Sequence, residues 1–235
     1  MPSVSSFIRA RKWEKVSDLL CRECPYQDTP GRFICCMECE KRHNILHYIL
    51  GFNPPVSIVQ DVITAFPDTV HEMDCMHRYP LHISLMCGAS SDLIRYLIKV
   101  NEEAVTAVDK EGKTTMHLLF TDYRMRRKSN SKYVKELRGH FPTIIHMLCH
   151  EHPELILKED LDDVNVIELV VLEEVDQKMM KLLQSIAECA MKGKDLSWFR
   201  EPKPRIKKLE VKPDLPTGLV KIVASVGKTF VGRSA

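Results

Sequence analysis

The sequence predicts an all-α fold: a helical repeat solenoid of about four helix pairs, with an N-terminal cysteine-rich insertion and a C-terminal extension. Three observations predict it. Three segments align on a histidine, RHNILHYIL at His47, HRYPLHISL at His82 and GKTTMHLLF at His117, and both spacings are 35 residues. An aspartate, Asp74 and Asp109, stands eight residues before each of the later two histidines. The stretches that follow align as well. Val59, Val62, Ile63 and Val70 fall opposite Ile94, Leu97, Ile98 and Val105, at the i, i+3, i+4 spacing of an amphipathic helix.

The first element, FIRARKWEKVSDLL, carries Trp13, Val16, Leu19 and Leu20 at helical spacing. It reads as the closing helix of an incomplete leading unit, as expected where a repeat array must be capped. The register is then interrupted at about residues 21–39 by CRECPYQDTPGRFICCMEC. Here Cys21-x2-Cys24 and Cys36-x2-Cys39 can present four thiolates to one structural zinc, the only cofactor the sequence suggests. Cys21 and Cys35 can instead pack as small hydrophobes in the stack. A redox dithiol is a third reading, without the surrounding βαβ pattern.

The units at His47, His82 and His117 follow. A third second-helix, TIIHMLCHEHPELI, puts Ile145, Leu148, Cys149 and Ile156 at the repeated positions, with Asp160 four residues on. His146 and His150 share its face at i, i+4, two ligands only, and read as solvent-facing. The last unit is eroded: DDVNVIELV has Glu168 where the histidine would stand, and KMMKLLQSIAECA supplies its second helix.

Between His117 and the third second-helix lie 16 residues more than the period requires. This basic loop, at about 121–139, holds Arg124, Arg126, Arg127, Lys128, Lys132, Lys135 and Arg138 against two acids. It is expected to be an anion-binding loop, centred on Arg124, Arg126, Arg127 and Lys128, or else a solvated insertion. The stretch 151–176 is acidic, with ten Asp/Glu against Lys158. The repeat domain is expected to span 1–191. Residues 192–235 read as a proline- and lysine-rich linker and a short amphipathic tail carrying Leu219, Ile222, Val223, Val226 and Phe230. That tail can dock on a partner or an anionic surface, or cap the stack. Gly227-Lys228-Thr229 looks like the end of a phosphate loop, but Ile222 stands where the motif needs glycine, so nucleotide binding is not expected.

The units resemble the ankyrin repeat, and most closely the ankyrin-like repeat proteins of diatoms and related algae. The resemblance rests on Gly112-Lys113-Thr114-Thr115-Met116-His117, on Pro80-Leu81-His82, and on Cys87-Gly88-Ala89-Ser90 at the position of the family's inter-helix turn. It covers roughly residues 8–190. It implies that each histidine bridges turn backbone and neighbouring units by hydrogen bonds rather than holding metal. Arg42 and His77 replace the family's turn glycine, so the hairpin tips are expected to be irregular there.

The resemblance implies a non-catalytic protein-interaction scaffold or adaptor. Its concave face and turn tips would hold another protein, with Arg42, Met76, His77, Arg78, Glu111 and Lys113 as candidate contacts. A nucleic-acid-associated role through the basic loop and tail is the alternative. No nucleophile–base pair, open metal site or glycine-rich phosphate loop is present in the sequence, so catalysis is not expected. The formal net charge of +2 implies no nucleic-acid or membrane partner by itself. No run of 18 apolar residues suggests a transmembrane helix, and the charged N-terminus does not read as a secretory signal. With nine cysteines and no signal, an intracellular setting, cytoplasmic or nuclear, is expected.

Overall fold

The computed structural model describes residues 4–21, 32–34, 42–127, 132–172, 177–194 and 196. The chain divides into two units, Met1–Pro202 and Lys203–Ala235. The second lies wholly outside the described residues, and with it the expected amphipathic tail. The first unit extends beyond the boundary expected at 191, and Leu196 is still buried in its core.

This first unit is helical. Its elements are α1 (Val4–Arg9), α2 (Trp13–Cys21), β1 (Arg32–Ile34), β2 (Arg42–Asn44), α3 (Ile45–Leu50), α4 (Val56–Ala65), α5 (Pro80–Met86), α6 (Ser91–Val100), α7 (Thr115–Arg127), α8 (Lys132–Cys149), α9 (Val166–Leu172) and α10 (Gln177–Met191). The expected period is visible in the element boundaries. Helices α3, α5 and α7 begin at residues 45, 80 and 115, and α4 and α6 begin and end 35 residues apart.

The helices form two rows. In one, α3 packs on α5, α5 on α7 and α7 on α9; in the other, α2 packs on α4, α4 on α6 and α6 on α8. Leu46, Ile49 and Leu50 on α3, Leu81 and Leu85 on α5, and Met116, Leu119 and Phe120 on α7 meet Val59, Val62, Leu93, Ile94, Leu97, Ile145 and Leu148 from the second row in one apolar core. Each amphipathic helix buries one stripe, and the helices packed against it supply the other wall.

Local sequence sets where each helix starts and stops. Asn44 caps α3 by accepting from His47 N, and Ser90 Oγ caps α6 by accepting from Leu93 N at 3.3 Å. After each second helix the chain leaves helical geometry at Phe66 (φ −138°), Asn101 (φ −142°) and His152 (φ −130°). A 3-10 turn follows in each case, at Pro67–Val70, Glu102–Val105 and Pro153–Ile156. These turns bury Val70, Val105 and Ile156.

Two features differ from expectation. Of the basic stretch at 121–139, expected to be a loop, the described residues 121–127 and 132–139 are helical. Helix α7 runs on to Arg127 and α8 starts at Lys132, so Arg124, Arg126 and Arg127 are helical, while Lys128 lies outside the described residues. The reason is local: residues 115–127 and 132–138 contain neither glycine nor proline and are rich in Arg, Lys, Leu and Met, all good helix formers. Pro142 stands where Ser91 opens α6 in the repeat register, yet α8 continues through it, without the i−4 bond that position would otherwise donate. Phe120 and Phe141, with ring centroids 6.4 Å apart, join α7 to α8.

The second difference is a short antiparallel pair between the cysteine-rich insertion and the residues just before α3, with Arg32 opposite Asn44, Phe33 opposite His43 and Ile34 opposite Arg42. Cys21 is the last residue of α2, while Cys24, Cys36 and Cys39 lie outside the described residues. Among the described residues no helix is long and apolar enough to cross a membrane.

Leu97 is 1% exposed where α6 meets its neighbours. Leu97→Ala should cost about 2–5 kcal/mol of stability, read as a lower urea midpoint.

Candidate functional site

Three turns of the same design join one helix pair to the next, and an aspartate builds each. Asp74 Oδ1 accepts from Met76 N at 2.8 Å and Arg78 N at 2.9 Å. Asp109 Oδ1 accepts from Glu111 N and Lys113 N, both at 2.9 Å. Asp160 Oδ1 accepts from Asp162 N at 3.0 Å and Val164 N at 3.1 Å. Each aspartate N–H also donates to the carbonyl four residues on, closing the turn. The third residue after each aspartate is left-handed: His77 (φ 58°), Gly112 (φ 73°) and Asp163 (φ 57°).

The tip at His77, expected to be irregular for want of glycine, therefore has the same conformation as the tip that has one. The carboxylate's bonds outweigh the left-handed cost. A hydrogen bond to a charged group contributes about 1.5–3 kcal/mol, against roughly 1–2 kcal/mol for an L-residue in that region.

Neighbouring turns are joined through main chain. Lys110 N donates to Met76 O and Leu161 N donates to Glu111 O, both at 3.0 Å. This links the three tips in one row. Of the residues singled out from sequence, Met76, His77, Arg78, Glu111 and Lys113 lie together on the first two turns, and Arg42 lies on β2.

Their chemistry is unequal. His77 is exposed. Arg78 instead turns back on its own turn, with Nη2 at 2.7 Å and Nε at 2.8 Å from Asp74 Oδ2, so it belongs to the frame. Glu111 and Lys113 form an ion pair on the second turn, and the bond to Glu111 raises the Lys113 pKa. Burial alone would push the Asp74 carboxyl up. The side-chain and backbone bonds from Arg78, its charge and the Met76 N–H outweigh that and hold it below the ordinary value. The sequence reading missed the third turn's surface, where Leu161 is 74% exposed and Asp162 and Asp163 are exposed. The signal was there: Asp160 follows Ile156 as Asp74 follows Val70.

The repeated histidines tie helix starts to turns. His82 Nδ1 accepts from Tyr79 N at 3.2 Å, and its Nε2–H donates to Ala107 O at 3.2 Å. His117 Nδ1 faces Thr114 N at 3.3 Å and Thr114 Oγ1 at 2.8 Å, and its Nε2–H donates to Val164 O at 2.9 Å. His47 Nε2 lies 2.8 Å from Arg78 O, the same carbonyl position that Val164 holds in its turn. Burial lowers the pKa of both His82 and His117, and both are neutral with the proton on Nε2. Glu168 makes the local half of this arrangement: its Oε2 accepts from Asn165 N, and Asn165 Oδ1 accepts from Glu168 N, both at 3.1 Å.

The other histidine group is a surface cluster. The His146 and His150 rings lie 5.1 Å apart, and His150 and His152 sit beside Glu151 and Glu154. Cys149 is buried, its pKa pushed up to about 12 by desolvation, so it stays a thiol against Met116 Sδ at 3.7 Å. Among the described residues no group of three or more His, Cys, Asp or Glu is placed to hold a metal ion.

A Cβ on Gly112 would lie 2.9 Å from Leu161 N and would occupy a left-handed residue. Gly112→Ala should therefore cost about 1–3 kcal/mol, whereas His77→Gly should gain up to ~1 kcal/mol. Urea midpoints moving in opposite directions check the pair. Acid supplies a second test. The unfolded chain takes up protons below about pH 6.5 that buried His82 and His117 refuse, so stability should fall as pH drops through that value. Urea midpoints between pH 7 and 5 should show this slope, and His117→Gln should reduce it.

No family model matches the sequence, and no curated protein matches it.

Proposed function

We propose that the chain is a non-catalytic ankyrin-like repeat module that holds a partner protein on its row of turn tips. The observation that carries this reading is the turn itself. The same aspartate bonds, left-handed residue and tip-to-tip main-chain bond recur at Asp74, Asp109 and Asp160 despite the insertion before the third. Such a row gives a rigid main-chain rail with side chains that differ from tip to tip. His77 on the first, Glu111 and Lys113 on the second, and Leu161 and Asp162 on the third form a surface of mixed charge and apolarity. That chemistry suits a protein surface. The exposed acids at Asp162 and Asp163 weigh against a nucleic-acid backbone lying along the same row.

The test compares variants of the full chain. Proteins captured by the wild type should be lost by the triple variant His77→Ala, Lys113→Glu, Leu161→Ala, and kept by Arg95→Glu, an exposed change on α6. The partner so identified should bind the wild type saturably in calorimetry, and the triple variant at least tenfold more weakly, with the melting temperature of the chain preserved. Equal binding by the tip variant would remove the turns from the interface.

A further inference from the structure

His47 differs from the two histidines that repeat it. In His82 and His117 one ring nitrogen accepts and the other donates, as a neutral imidazole requires. In His47 both ring nitrogens face oxygens. Nδ1 is 2.8 Å from Asn44 Oδ1, and Nε2 is 2.8 Å from Arg78 O. A main-chain carbonyl only accepts. The Asn44 amide is oriented by three further bonds: Oδ1 accepts from His47 N at 3.0 Å, while Nδ2 donates to Thr69 O at 2.9 Å and to Glu72 Oε2 at 3.1 Å. Turning the amide over would set donor against donor at His47 N and acceptor against acceptor at Thr69 and Glu72. Oδ1 is therefore an acceptor as well. Only an imidazolium, with a proton on each nitrogen, satisfies both contacts.

We propose that His47 is a buried imidazolium, and that it makes the first helix pair loosen as pH rises, the reverse of the two pairs that follow. His47 is 5% exposed, so its charge needs compensation. The Glu72 carboxylate supplies it through the shared Asn44 amide. The elements packed against α3 carry Arg32 on β1, Arg42 and His43 on β2, Asp61 on α4, Asp68 in the 3-10 turn and His82 on α5, with His71, Glu72, Asp74 and Arg78 in the following turn. Of these, Asp61 is bonded by Ser17 at 2.7 Å and Asp74 offsets Arg78.

The sign follows from linkage. A histidine whose folded pKa lies above about 6.5 stabilises fully below that value, and the stabilisation is lost as pH rises through the folded pKa. Loss of either proton leaves one nitrogen against an oxygen that cannot donate to it. The contact given up is either the one to Asn44, the cap residue of α3, or the one to Arg78 O in the turn before α5.

The test uses the wild-type chain. Side-chain 15N spectra recorded from pH 5 to 9 should show both His47 nitrogens protonated at pH 6.5, with a titration midpoint above that value, while His82 and His117 keep a proton on Nε2 alone. Over the same range, amide exchange at Ile49 and Leu50, corrected for its intrinsic pH dependence, should speed up by as much as tenfold per pH unit between the unfolded and folded midpoints. A His47 midpoint at or below 6.5, or corrected exchange in α3 that does not change with pH, would overturn the proposal.

Discussion

Each inter-unit turn depends on a carboxylate that accepts two backbone N–H groups, at Asp74, Asp109 and Asp160. This constraint orders what surrounds it. It directs the second and fourth amides inward, leaving the third residue left-handed. It holds the fourth residue's carbonyl in place, and at Arg78 and Val164 that carbonyl receives the histidine of the unit before. The histidine's other nitrogen engages the residue that starts its own helix. Turn, helix start and neighbouring unit thus share one polar chain, while the apolar rows supply most of the burial.

The histidines show how one residue at one register position takes two states. What differs is the group at the helix start. A backbone N–H from Tyr79 or Thr114 asks for an unprotonated nitrogen, whereas the Asn44 amide oxygen asks for a proton. The period thus sets where the imidazole sits, and the cap three residues earlier sets its charge.

Much of this was legible in the sequence, where a repeated residue has a repeated job. The 35-residue spacing of His47, His82 and His117 placed the starts of α3, α5 and α7, and the aligned apolar positions placed α4 and α6. Legibility failed where one property was read in place of another. Arg124, Arg126 and Arg127 were read for charge, and their helix propensity decided the structure. His77 was read as a missing glycine, although the carboxylate three residues earlier fixes that turn whatever side chain the left-handed residue bears. The Arg32–Ile34 and Arg42–Asn44 pairing has no periodic signature, because three residues are too few to show alternation. Arg78 reads from sequence as a surface charge, and only the fold reveals that it closes on Asp74.

The bonds between tips, Lys110 N to Met76 O and Leu161 N to Glu111 O, involve no side chain. Positions 76, 110, 111 and 161 can therefore change to any residue but proline without losing the bonds that align them. What the chain inherits is a ruled line, and what it presents along that line can be rewritten. Side chains along the tips can differ while the line that aligns them stays in place, so two sequences with unrelated tips would still superimpose.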